Sequence, residues 1–115
     1  MRATRVVSLT GDDLALDDVW AVATAGAHAA LAARASERMR AAREVVDAIA
    51  RESGGHTYGV NTGFGRFVEQ TIPPALADEL QVRLLRSHAC GVGEPYPDEV
   101  VRAAMLLRAN ALAKG

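Results

Sequence analysis

Three glycines within eight residues, Tyr58-Gly59-Val60-Asn61-Thr62-Gly63-Phe64-Gly65, stand at the middle of the chain and constrain its fold more than any other feature. Glycine loses the most backbone freedom on ordering and brings no side chain to pack, so neither a helical nor a strand period survives here. The segment reads as an irregular loop that its neighbours must hold in place. Its spacing, Gly59-x-x-x-Gly63-x-Gly65, is not that of a phosphate-binding loop.

The flanking sequence is helical in pattern. Between about Ala27 and Glu52, apolar positions recur at Leu31, Ala35, Met39, Ala42, Val46 and Ile49, steps of three or four that draw one stripe along a helix. Arg43, Asp47 and Arg51 lie four apart on its polar side, in reach of one another. Ser53-Gly54-Gly55 reads as the stop, because glycine takes the left-handed conformation past a helix end without steric cost. After the loop, Pro73-Pro74 opens a second helix whose Leu76, Leu80 and Leu84 share a face to about His88, with Gly91 and Gly93 beyond its end. Pro95, Pro97, Asp98 and Glu99 then introduce a helix from Val100 to Leu112 that is apolar except at Arg102, Arg108 and Asn110. Upstream, Arg5 to Leu9 reads as extended, Thr10-Gly11-Asp12-Asp13 as a turn or cap, and Leu14 to Ala25 as a short helix.

The fold class expected is therefore mainly α, helices around an irregular glycine-rich loop, with residues 1–115 forming one domain or part of one. Composition agrees: half of the residues are hydrophobic but only 4% are aromatic, so close-packed Ala, Val and Leu dominate. A helix as apolar on all sides as Val100 to Leu112 wants cover from neighbours, which predicts self-association or pairing with another chain. A formal net charge of -1 gives no electrostatic pull toward nucleic acid or anionic membrane, and no apolar run is long enough for a span. Cys90 has no second thiol to pair with, so the expected compartment is the reducing cytoplasm.

Few side chains offer chemistry. Tyr58 enters a mobile, glycine-flanked, closely approached backbone, where a tyrosine can act as an acid or base if a positive field attends its oxygen. The plain alternative is that Tyr58 and Phe64 anchor the loop on the core while the glycines supply unusual backbone angles. His88, beside Ser87 at a helix end, can either satisfy terminal carbonyls or reach a substrate. Cys90 lies among small residues and reads as packing rather than as a nucleophile. The three histidines are far apart and no metal-ligand spacing occurs, so no metal site is expected.

The segment Tyr58-Gly59-Val60-Asn61-Thr62-Gly63-Phe64-Gly65 resembles the tyrosine loop of the aromatic amino acid ammonia-lyases and related aminomutases. A second resemblance follows in Ser87-His88-Ala89-Cys90-Gly91-Val92-Gly93-Glu94-Pro95, then in Val101 to Asn110 and Lys114-Gly115. The likeness runs from about Ser8 to the end and corresponds to roughly the first fifth of a complete member.

What the resemblance implies is specific. Tyr58 takes the place of the tyrosine that abstracts the substrate's β-proton, with Gly59, Asn61, Thr62, Gly63, Phe64 and Gly65 as the lid loop that carries it. His88 matches a histidine that contacts the substrate's ring in the histidine and tyrosine lyases, and Ser87-His88-Ala89 looks most like the histidine branch. The family's electrophile, a methylidene-imidazolone, forms from an internal Ala-Ser-Gly, which this sequence lacks. Arg51-Glu52-Ser53-Gly54-Gly55 comes nearest but has no alanine, and is not assigned as its precursor. The implied ligand is a small amino acid, and the implied partners are the rest of a lyase chain and further subunits of a tetramer. Alone, the 115 residues are expected to be inactive. A free-standing, non-catalytic remnant and a piece of an aminomutase are the alternatives.

Overall fold

A computed structural model describes residues 4–51 and 55–115, which fall into two compact units. The first comprises the chain to Arg43 together with Glu94–Gly115, and the second runs from Glu44 to Gly93.

In the first unit, β1 (Val6–Leu9) leads through a turn to α1 (Leu16–Thr24), then to β2 (His28–Leu31) and the start of α2 (Ala33–Arg51). Strands β1 and β2 pair in parallel, Val6 opposite His28 and Leu9 opposite Leu31. The expected helical start near Ala27 is corrected by this pairing. Gly26, at a φ of +68°, breaks the helical path after α1. The next residues then satisfy β1 instead: the His28 N–H donates to the Arg5 carbonyl at 2.9 Å and the Ala32 N–H to the Leu9 carbonyl at 3.0 Å. An extended edge left unpaired would forfeit those bonds, which outweighs the helical preference of Ala29-Ala30-Leu31.

The helix expected at the C-terminal end is α4 (Asp98–Leu112). Its Leu106 joins Val7 and Leu9 in a small core, against which Leu14, Val19, Val22 and Ala27 pack. Helices α1 and α4 lie against each other and Ala21 and Ala23 of α1 are buried, but one side of the pair stays open, lined in part by Ala23, Ala103 and Ala104. There Leu16, Trp20, Val100 and Leu107 border an apolar groove of about 670 Å³. Trp20 is 70% exposed and Met105 68%, so the all-round apolar character of α4 is left largely in water.

Polar bonds fasten the ends of this unit. Arg38 of α2 donates from Nε to the Lys114 carbonyl at 3.0 Å and from Nη2 to the Ala113 carbonyl at 3.0 Å, and also to the Thr10 carbonyl. One guanidinium thus closes the last turn of α4 onto the turn that follows β1, and Arg108 and Arg102 of α4 take no part in it. Arg38→Met keeps the stem but removes these donors. It is expected to lower unfolding stability by about 2 kcal/mol, the worth of charge-assisted bonds that are partly shielded, as thermal unfolding followed by circular dichroism would measure.

In the second unit the end of α2 is followed, after residues 52–54, by the glycine-rich loop, a 3-10 turn at Gly65–Phe67, another at Pro74–Leu76, and α3 (Ala77–His88). The expected stop at Ser53-Gly54 lies outside the described residues; Gly55 has a φ of +126°. Pro74 sits at the start of its short turn and α3 follows directly, as the Pro73-Pro74 signal implies. The mainly helical class expected from the sequence is thus what the structure has.

Candidate functional site

The glycine-rich segment is irregular but tightly bonded. Asn61 is its hub: its Oδ1 accepts from the Thr57 N–H at 2.8 Å, its Nδ2 donates to the Gly55 carbonyl at 2.9 Å, and its own carbonyl accepts from the Ile72 N–H at 2.9 Å. Thr62, fully buried, accepts at Oγ1 from the Gly59 N–H at 3.3 Å and donates to the Gly63 carbonyl at 3.0 Å. A short antiparallel bridge between Thr62 and Thr71 completes the frame. Gly63 is required sterically, because a Cβ there would stand 2.6 Å from both Cβ and the carbonyl oxygen of Phe67.

Tyr58 rises from this frame. Its ring meets Phe64 edge-on, centroids 5.7 Å apart, and its hydroxyl oxygen accepts from the Gly65 N–H at 3.3 Å. The side chain remains 60% exposed. Gly59 and Gly65, with φ of +75° and +57°, make the turns that bring the two ends of the loop tip together. Anchoring and availability therefore coexist: the ring is steadied on one edge while most of the phenol faces solvent.

Phe64 also borders an open cavity of about 380 Å³ in the same unit, with Gly63, Leu80, Leu84, Ser87 and His88 around it. The leucine face of α3 expected from the sequence supplies its apolar wall. His88, at the last turn of α3, has Nδ1 2.9 Å from the Leu84 carbonyl and 3.1 Å from Ser87 Oγ. The structure thus gathers Gly63, Phe64 and His88 on one cavity, with Tyr58 against Phe64. It gives Asn61 and Thr62 a framing role inside the loop. Gln70 and Arg83 also line the cavity and were not singled out from the sequence. Arg83 is held by Glu79, Nη2 to Oε1 at 2.6 Å, a pair four residues apart whose spacing is the signal that could have drawn attention to it.

Cys90, expected to pack among small residues, is exposed, because the chain past His88 leaves α3 without re-entering a core. Among the described residues no group of three or more His, Cys, Asp or Glu side chains comes together, and no helix is long and apolar enough to cross a membrane.

Comparison with known proteins bears on this arrangement. Residues 14–115 match the family model described as aromatic amino acid lyase. A histidine ammonia-lyase of Anaeromyxobacter sp. (strain K) is 52% identical over 107 residues, 93% of this chain and 21% of that protein. A histidine ammonia-lyase of Treponema denticola is 47% identical over 109 residues, 95% of this chain and 21% of that protein. Among solved structures, a tyrosine aminomutase mutant with bound ligand superimposes with a TM-score of 0.90 at 33% identity, over 96% of this chain and 21% of its own. The chain thus spans about a fifth of the length of the relatives it matches.

Proposed function

The chain belongs to the aromatic amino acid lyase family and is similar to histidine ammonia-lyases over most of its length, and from this we propose that it is the proton-abstracting part of an ammonia-lyase acting on an aromatic amino acid, in first place histidine. The observation that carries the reading is Tyr58 itself, largely exposed at the tip of a rigidly framed glycine loop and in ring contact with a wall of the His88 cavity.

In this reading the Tyr58 oxygen takes the β-proton, the C–H electron pair becomes the Cα–Cβ double bond, and the amine leaves with the C–N pair; from histidine the product is urocanate. The Gly65 N–H donates to the phenol oxygen and steadies it at the loop tip. His88 contacts the ring of the substrate, and the glycines at 59 and 65 let the loop tip act as a lid. The electrophile that makes the amine a leaving group comes from the rest of the polypeptide, since no residue set in this chain fits it. The partners are that remaining sequence and further subunits of a cytoplasmic oligomer, and the open apolar groove beside α1 and α4 is surface suited to such cover.

The test is a hybrid polypeptide in which this chain replaces the matching first fifth of the Anaeromyxobacter histidine ammonia-lyase. Urocanate formation, followed by its ultraviolet absorbance, is the expected activity. In that hybrid His88→Leu is expected to raise KM for histidine about tenfold, the worth of one hydrogen bond to the ring, while phenylalanine is affected less. Equal effects on the two amino acids would remove His88 from the ring-binding role. A second reading, ammonia migration in place of elimination, is favoured by the tyrosine aminomutase likeness; a β-amino acid among the hybrid's products would establish it.

A further inference from the structure

The Leu84 carbonyl can only accept hydrogen bonds, so a ring nitrogen 2.9 Å from it must carry the proton. His88 Nδ1 is that nitrogen. Ser87 Oγ lies 2.9 Å from the same carbonyl and 3.1 Å from Nδ1, and its one proton can go to only one of them. If it went to Nδ1, the bare Nδ1 and the Leu84 oxygen would face each other as two lone pairs, while Ser87 Oγ would face that oxygen with no proton to share. If Ser87 donates to Leu84, every group is satisfied: the carbonyl accepts twice, and the Nδ1–H is shared between that carbonyl and a serine lone pair.

We propose that Ser87 is a positioning residue that, with the Leu84 carbonyl, holds His88 in the Nδ1–H tautomer, so that Nε2 is presented as a hydrogen-bond acceptor. The consequence for specificity rests on the reading of His88 as the ring contact. An acceptor at that point selects a ring with an N–H or O–H at its edge and gives nothing to a phenyl ring.

The decisive measurement is the tautomer of His88 by long-range proton–nitrogen NMR on the 115-residue chain labelled with 15N-histidine, the His88 signals being assigned with His88→Gln. An exposed, unconstrained histidine favours the Nε2–H form. The expected result is a majority of Nδ1–H at His88, a ratio that falls about fivefold in Ser87→Ala, the worth of one weak exposed bond, and returns in Ser87→Thr, which keeps the hydroxyl. A majority of Nε2–H in the unaltered chain, or a ratio that Ser87→Ala leaves in place, would overturn the proposal. Because the spectrum needs no turnover, it decides the tautomer even if the hybrid enzyme proves inactive and the lyase reading fails.

Discussion

Tyr58→Phe in the hybrid lyase is expected to lower kcat by about a hundredfold to ten-thousandfold, the usual worth of a positioned general base. The substitution removes one oxygen and leaves the edge-on packing against Phe64 in place. The hydroxyl lies on an exposed ring and its bond to the Gly65 N–H is long, at 3.3 Å, so stability should change by no more than about 0.5 kcal/mol. A large loss of kcat with an unchanged melting curve would separate chemistry from folding. Steady-state kinetics with β-deuterated histidine give the second readout: proton abstraction from the β-carbon should be slow enough in the variant to express an isotope effect. If kcat were retained, Tyr58 would be an anchor of the loop and nothing more.

Gly11→Ala is expected to be the most damaging small substitution in the first unit. Gly11 is buried in the turn after β1 at a φ of +95°, and its N–H donates to Asn110 Oδ1 at 3.0 Å. A Cβ at this place would stand 2.9 Å from the Lys114 nitrogen and 3.0 Å from the Ala113 carbonyl carbon, backbone atoms that Arg38 already fixes. The positive φ costs about 1–2 kcal/mol for an L side chain and the overlap about as much again. Together these lower the melting temperature by on the order of 10 °C. Gly26→Ala supplies the control, since Gly26 also has a positive φ, +68°, but nothing lies within 4 Å of its added Cβ. Gly26→Ala should show the conformational cost alone, about half the effect. Equal losses at the two positions would mean that the contact with the end of α4 carries no stability.

These two glycines mark where sequence reasoning ends. Local signals were legible: the proline pair before α3, the acids at the start of α4, and the glycine run that could be neither helix nor strand. Each depends on residues a few positions apart. The parallel partner of β1 was not legible, because Ala29, Ala30 and Leu31 continue the apolar stripe of α2 and only the hydrogen-bonding demand of a strand some twenty residues earlier draws them into a sheet. The Arg38 clamp was hidden for the same reason, its acceptors lying 28, 75 and 76 residues away. At the candidate site, the resemblance pointed to Tyr58 and His88, but only the folded chain brings Phe64 and His88 to one cavity and gives Asn61 the work of framing the loop. Sequence spacing cannot reveal that the carbonyl four residues before His88 faces its ring, since that depends on the side-chain rotamer.

The most direct test of the central claim is product analysis of the hybrid between this chain and the remaining four fifths of the Anaeromyxobacter enzyme, incubated with histidine and resolved by mass spectrometry. The account calls for urocanate and ammonia in equal amounts, formed by the hybrid and lost with Tyr58→Phe. A hybrid that assembles, carries its electrophile and yet turns over no aromatic amino acid would contradict it.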